Sequence, residues 1–443
     1  MLKKLSTAKI FLLGFFALIL LGTALLTLPI SARSGQMTHP FDAAFTAVSA
    51  TCVTGLSVFD TYTHWSGFGQ AVILCLIQIG GLGFMSVISL FTLLFRRRQG
   101  LRERQLLQQA SGSMRRMDTR RMFLMILCGT ALIESAGAAL LAIRFVPLLG
   151  AGQGIWQAVF HSVSAFCNAG FDLCGIFAPG QSVSRFAADP LVSLTLIALI
   201  TLGGIGYVVW DDVLHRRHHL SRYSLHSKIV LCTSAVLLFG GGALFFISER
   251  QGVLAGLSAP AALLASLFQS CTTRTAGFFS VDQGALSSFG LFLCCILMFI
   301  GGSPGSTAGG VKTATVFLVL SNAFSAVRGR DSLVLFRRRI EGCQVRQASA
   351  ILLVYLAGAL GAVGILSLYE PYPLGQLVYE VISAIATVGL TTGITTQLLP
   401  LSRALLMLLM FAGRLGALSF LLAVAEKKKT PEAQRPSESV LIG

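Results

Sequence analysis

Charge is what this sequence has least of. Only 12% of its 443 residues are charged and only 18 are acidic, about half the charged share of an average soluble domain. That scarcity argues against a soluble enzyme. Catalytic groupings are lacking as well, with no nucleophile triad, no cysteine pair at zinc spacing and no disulfide framework. A phosphate-binding loop fails by one residue: Gly305 and Gly310 have the G-x-x-x-x-G spacing, but Val311 intervenes before Lys312 and Thr313. Nucleotide binding and hydrolysis by this chain are therefore not expected, and no catalytic residue, cofactor or transition metal is assigned. What fills the sequence is apolar: 54% hydrophobic residues and a mean hydropathy of +0.77. The net charge of +16 would suit nucleic acid, but the basic residues form short blocks between long apolar runs, so no nucleic-acid partner is expected.

About 20 apolar residues cross a bilayer as a helix. Such runs occupy 9–29, 67–95, 121–143, 190–214, 228–247, 289–320, 348–368 and 401–425, so a polytopic, all-α membrane protein of eight spans is predicted. The first run follows Lys3, Lys4 and Lys9 but is too long for a signal-peptide core, and reads as a retained span. Of 34 Lys and Arg residues, 26 lie in 1–9, 96–121, 216–228, 328–346 and 427–435, and five (Arg33, Arg144, Arg185, Arg250, Arg403) lie in the opposite loops. The bias predicts that both termini are cytoplasmic. His215, His218, His219 and His226 crowd one cytoplasmic linker and read as a solvated basic loop or a docking surface. The tail from residue 426 carries Pro431 and Pro436 and reads as disordered at its end.

After each odd-numbered span comes an apolar segment too short to cross: 40–52, 155–167, 260–271 and 373–386. Each reaches about 20 Å as a helix. These run into SATCVTGLS, SAFCNAGFD, CTTRTAGFF and SAIATVGLT, closing on Gly55, Gly170, Gly277 and Gly389. Ser49, Ser164 and Ser383 precede three of these glycines by six residues, and Cys271 takes that place in the third. The next span then carries glycine again: QIGGLGF, TLGGIGY, FIGGSPG and FAGRLGA. Close helix packing accounts for Gly81, Gly83, Gly204 and Gly206. It does not account for four half-helices with matched glycines, because irregular backbone at membrane depth must be sheltered or line a water-filled path. The expected architecture is four helix–pore-loop–helix repeats around a pseudo-fourfold pore. Its divisions fall at 1–95, 96–214, 215–327 and 328–425, with a cytoplasmic tail at 426–443.

Four half-helix C-termini converging on one cavity favour a cation, and extended strands past them can turn carbonyls to the axis in place of an ion's hydration shell. The strands are Cys52, Val53, Thr54 and Gly55; Cys167, Asn168, Ala169 and Gly170; Arg274, Thr275, Ala276 and Gly277; and Ala386, Thr387, Val388 and Gly389. None holds an acid, which points to a weakly hydrated monovalent ion rather than a divalent one.

On these motifs, with TRTAGF at 273–278 and GGSPGSTAGGVKT at 301–313, the chain resembles the Trk/Ktr/HKT superfamily of potassium transporters. Without extra N-terminal helices it looks most like the bacterial Ktr-type membrane subunit. The resemblance spans about residues 9–425. It implies potassium uptake across the bacterial cytoplasmic membrane, a filter at the four glycines, and a homodimer seated on a cytoplasmic nucleotide-binding regulatory ring, with sodium dependence left open. It also implies an intramembrane gate formed by Gly301, Gly302, Ser303, Pro304, Gly305, Ser306, Thr307, Ala308, Gly309 and Gly310, with Lys312 beside it. The basic loops at 96–121 and 328–347 offer docking surface for the ring or for anionic lipid.

Charges inside spans need reasons. Arg274 should point away from the axis, toward a carboxylate or a helix's carbonyl end, in a structural role. Arg414, at the place in the eighth span that matches the 301–310 loop, is expected to face the pore below the filter and touch that loop. The alternative is an Arg snorkelling to the interface. Glu134 reads as structurally paired, with Arg274 a candidate partner. Glu370 and Glu380 are noted without a role. Asp172 and Asp60 either gather cations at the outer mouth or cap local backbone. The rival function is a secondary transporter of an organic solute working through broken helices. It predicts two inverted halves and buried coupling acids, which four parallel repeats do not supply.

Overall fold

The computed structural model describes residues 7–83, 119–216, 219–330 and 332–416. Most of the basic loop at 96–121, the span ends at 84–95 and 417–425, the tail and His218 lie outside the described residues. The rest is helices joined by turns and loops, with a two-stranded hairpin pairing Val334–Leu335 with Arg338–Arg339.

Four times an outer helix is followed by a short helix, a turn and an inner helix. The outer helices are Thr7–Thr27, Thr119–Leu149, Leu225–Ala235 continued by Gly241–Glu249, and Gly342–Tyr369. Among the described residues three stretches, Leu124–Leu149, Leu225–Glu249 and Gly342–Tyr369, are long and apolar enough to cross a membrane uninterrupted. Leu132, Ile247 and Leu368 on them are largely exposed, as a lipid-facing surface requires and a water-facing one would not. The third outer helix carries one π turn at Val236–Gly240. Such a turn frees a carbonyl, and here Leu237 accepts from Ser270 Oγ at 2.8 Å.

The short helices are Pro40–Cys52, Ala151–Phe166, Ala259–Thr272 and Leu374–Ile385. Proline stands at or beside the start of three of them, where a missing N–H costs nothing. Alanine fills their buried faces (Ala43, Ala47 and Ala50 in the first; Ala262 and Ala265 in the third), and the absence of a longer side chain lets neighbouring backbones come close. On the side expected to face outward, Arg403 bonds Asp42 at 3.1 Å, joining the last inner helix to the first short helix and closing the circle of repeats. The other four arginines of that side are also held: Arg144 on Asp189 at 2.5 Å, and Arg33, Arg185 and Arg250 over the rings of Tyr62, Phe177 and Phe246.

Every inner helix breaks at its glycine motif. Gly67–Leu82 stops at Gly83 (φ 84°), Pro400–Leu415 stops at Gly416 (φ 83°), and Pro190–Gly204 turns by 97° at Gly206 (φ 90°) into Tyr207–Arg216. Ser288–Phe299 gives way to an irregular loop before Thr313–Val327. Packing alone is therefore not the reason for all the glycines in this motif. Gly83 and Gly206 adopt the left-handed backbone that ends the helix, while Gly80, Gly81 and Gly203 before them do the close packing.

Candidate ion pathway

The four turns after the short helices share one backbone signature. Val53, Asn168, Thr275 and Thr387 have φ of 57°, 60°, 67° and 53°, and the glycines two residues later have 98°, 71°, 81° and 92°. Only seven non-glycine residues among those described have positive φ, and four of them stand at this position. Carbonyls of an ordinary extended strand alternate sides. Alternating left- and right-handed residues turn successive carbonyls to the same side, where they can face an ion together.

The glycines form a ring in chain order. A methyl group on Gly55 would lie 2.6 Å from the carbonyl oxygen of Ala169, one on Gly170 2.8 Å from that of Ala276, and one on Gly277 2.5 Å from that of Val388. One on Gly389 would strike the Thr54 carbonyl, completing the circuit. Any side chain here collides with the neighbouring strand and strains its own backbone. The buried hydroxyls of Thr54, Thr275 and Thr387 have no protein partner.

Hydrogen bonds from the short helices hold the ring in place. Ser49 and Ser383 accept from the N–H groups of Gly55 and Gly389 at 3.1 and 3.0 Å. Ser164 donates to the Phe171 carbonyl at 2.6 Å. In the third repeat the sequence register points to Cys271, but Thr272 does this work, donating to Phe278 at 2.5 Å, while Cys271 turns toward Thr201 and Ile197. The signal that would have found Thr272 is its hydroxyl, one residue out of register.

Beneath the ring lies the loop between Phe299 and Thr313. Its ends are clasped by Gly301 N–H on Val311 O at 2.9 Å and Thr313 N–H on Gly302 O at 3.0 Å. Its middle reaches up: Thr307 Oγ1 bonds the Phe166 carbonyl and Asn168 Oδ1, both at 3.1 Å, and Thr387 leans on Gly309. Asn168 in turn donates to the Arg274 carbonyl at 3.3 Å, so the loop and the strands of the ring form one network. The broken fourth span supports the loop from below, with Gly204 O accepting from Ser303 N at 2.9 Å and Tyr207 N donating to Gly305 O at 2.9 Å. Lys312 donates to Ala308 O at 2.7 Å. Arg414 enters from the eighth span and bonds the Thr307 carbonyl with one guanidinium nitrogen. Its other terminal nitrogen bonds Gly80 O and Gly81 O, at 2.5 and 3.2 Å. The guanidinium thus lies under the glycine ring and clamps the loop to the first repeat.

Arg274 points away from the ring and meets Ser234 Oγ of the fifth span at 2.9 Å, with its Nε unpartnered. The suggested partnership with Glu134 is not found. Glu134 accepts from Gln78 Nε2 at 3.1 and 3.2 Å and from the Cys167 thiol. Glu134 belongs to the second repeat and Arg274 is held inside the third, and hydropathy does not show which spans are neighbours. Glu370 accepts from Leu399 N at 2.8 Å. Glu380 gathers Thr391, Thr392 and Thr395 around itself just past the fourth glycine. Glu249, passed over in the sequence, is fully buried and holds Ser287 at the start of the sixth span.

Above the ring opens a cavity of about 310 Å³ whose floor includes Gly55, Gly170, Gly277 and Gly389. Asp60 and Asp172 both line it and both cap backbone: Asp60 accepts from Tyr62, Thr63 and Gly180, and Asp172 from Cys174. The two readings of these acids are compatible. Beside the cavity wall, His64 stacks on Phe59 at 3.9 Å. Burial holds its pKa below the ordinary value, against the pull of Asp42.

Residues 14–434 match the family described as TrkH, cation transport protein. The chain is 38% identical to the potassium/sodium uptake protein NtpJ of Enterococcus hirae, over 100% of this chain and 98% of that one. It is 37% identical to the Ktr system potassium uptake protein B of Bacillus subtilis, over 98% and 96%. The crystal structure of the potassium transporter TrkH from Vibrio parahaemolyticus superposes with a TM-score of 0.68, covering 92% of this chain and 84% of that one at 18% identity, a likeness of fold.

Proposed function

The chain belongs to the TrkH family of cation transport proteins, whose members move ions rather than catalyse reactions, and from that premise we propose that it takes up potassium through the ring of Gly55, Gly170, Gly277 and Gly389. The observation that carries the reading is the ring itself: four strands, each with a left-handed residue two places before a left-handed glycine, meeting carbonyl to backbone in chain order. The unpartnered hydroxyls of Thr54, Thr275 and Thr387 give a partly dehydrated ion further oxygen to meet, and the absence of carboxylates in the strands favours a monovalent ion over magnesium. Potassium is the ion named for the Bacillus relative, and potassium with sodium for the Enterococcus one. Sodium dependence belongs to the proposal on that footing.

In this reading the loop at 301–310, clamped by Arg414 and capped by Lys312, is the gate. It lies across the path beneath the filter, and its glycines let it rearrange. Control comes from outside the chain. A relative named for a Ktr system supports a partner subunit, here a cytoplasmic nucleotide-binding ring under a homodimer. Arg337, Arg338 and Arg339, exposed on the short hairpin, offer it or anionic lipid a surface. The organic-solute alternative has no observation in its favour.

The test is uptake in a potassium-uptake-deficient bacterial strain, with a regulatory ring supplied, by the parent and by Gly55→Ser. The parent is expected to restore potassium uptake and the variant to lose potassium-over-sodium selectivity. A parent that moves no potassium, or a variant with unchanged selectivity, contradicts the reading.

A further inference from the structure

Behind the second filter strand three side chains of different chemistry meet. His161 comes from the second short helix, and Asp172 and Cys174 from the turn that follows Gly170. One ligand atom from each lies within 4.8 Å of the other two, and Cys174 Sγ is 3.4 Å from His161 Nε2. His161 is fully buried and Cys174 nearly so. The other ring nitrogen, Nδ1, faces the Gln157 carbonyl at 2.8 Å, which places the proton there and leaves the Nε2 lone pair toward the cluster. A backbone carbonyl on the far nitrogen is how proteins commonly orient a ligating histidine. The Leu173 N–H stands 3.4 Å from the same Nε2, a long contact that a stronger ligand displaces. Asp172 also lines the outer cavity, so one of the three ligands already faces the side from which ions arrive. The spacing 161, 172, 174 matches no standard metal pattern, which is why the linear sequence does not reveal the group.

We propose that His161, Asp172 and Cys174 bind a borderline-soft divalent cation of the zinc or cadmium type, entering from the outer cavity. One nitrogen, one thiolate sulfur and one carboxylate oxygen form a donor set that such ions prefer and that potassium and magnesium do not. Binding releases the Cys174 thiol proton to water as the metal–sulfur bond forms. A fourth, tetrahedral position is left to water on the cavity side. The bound ion ties the turn at 171–174 to the short helix that already holds Phe171 through Ser164. It fixes the strand immediately beyond Gly170 and slows ion passage. That inhibitory half rests on the uptake reading, and the binding half does not.

The experiment uses the purified full chain in lipid nanodiscs with cadmium alone as the probe. Near-ultraviolet thiolate-to-cadmium absorbance of the parent should exceed that of Cys174→Ser by one thiolate equivalent per chain. Asp172→Asn removes a proposed direct ligand and should weaken cadmium binding by more than the roughly tenfold loss expected for an outer-shell partner. Iodoacetamide reaches the buried Cys174 only slowly, through local opening. Alkylation followed over hours by mass spectrometry should be measurable in the cadmium-free parent and slowed by cadmium, with the rate at exposed Cys343 unchanged, so the test survives a misfolded variant. Equal absorbance with and without Cys174, or alkylation of Cys174 indifferent to cadmium, overturns the site. In cells, external cadmium should inhibit uptake by the parent and not by Cys174→Ser. A binding signal with uptake indifferent to cadmium overturns the inhibitory half alone. A parent that takes up no potassium breaks the uptake reading and leaves the binding result intact.

Discussion

Two layers lie a few residues apart in this molecule and obey different rules. In the upper layer the four repeats are nearly interchangeable, each giving a left-handed residue, a carbonyl and a left-handed glycine to one ring. In the lower layer they diverge. The position after the packing glycine is Gly81 in the first repeat, Gly204 in the second and Gly302 in the third, but Arg414 in the fourth. Among the described residues only the third repeat expands into a loop, and the arginine of the fourth holds it against the first. An ion on an axis is best surrounded evenly, so symmetry suits the ring. A movable obstruction, the role proposed for the loop, needs one mobile part and one clasp, and four equal repeats supply neither.

The sharpest way to break this contrast is to put the same methyl group in each layer. Gly389→Ala drives a carbon into the Thr54 carbonyl and forces alanine to φ 92°, a left-handed backbone that costs about 1–2 kcal/mol on its own. Uptake is expected to be lost. Gly204→Ala meets nothing nearer than Asn168 Nδ2 at 3.7 Å, from an ordinary helical backbone, and uptake close to the parent's is expected. Equal damage from the two, measured as initial rates of potassium uptake at matched expression, would mean the ring is not the selective layer.

A smaller effect should come from the clasp. Arg414→Ala removes the donors that join Thr307 O to Gly80 O and Gly81 O, freeing the loop while the ring keeps its own hydrogen bonds. Uptake without the regulatory partner is expected to rise several-fold with potassium-over-sodium selectivity unchanged. Arg414→Lys should fall between, since an ammonium group is a point charge without the planar fork that bridges separated carbonyls. A fall in selectivity in Arg414→Ala would show that the two layers are not separable.

How far the sequence could be read follows the same division. The ring was legible because only glycine tolerates both the backbone angle and the neighbour's closeness, so the chemistry is written at Gly55, Gly170, Gly277 and Gly389. The loop was legible because Gly301–Gly310 is too rich in glycine, with proline besides, to stay helical. The 97° turn at Gly206 was hidden, since glycine in a membrane helix serves packing equally well and nothing local distinguishes the uses. The surroundings of Arg274 were hidden too, because the choice between Glu134 and Ser234 depends on which spans touch. The cluster of His161, Asp172 and Cys174 is a product of the turn after Gly170, and turns of that length leave no periodic trace.

The smallest expected effect tests how strictly the upper layer repeats. Register by sequence matches Cys271 with Ser49, Ser164 and Ser383, whereas the hydrogen bond belongs to Thr272. Thr272→Val keeps the shape but leaves the Phe278 carbonyl without its donor. The expected loss is about 1 kcal/mol, seen as a lower thermal midpoint and matched by Ser164→Ala, which releases Phe171 in the same way. Cys271→Ser should change little, since the thiol faces Thr201 and Ile197 behind the ring. If Cys271→Ser instead stabilised the protein and Thr272→Val did nothing, the third strand would follow the register of the other three, and the upper layer would be more regular than its hydrogen bonds indicate.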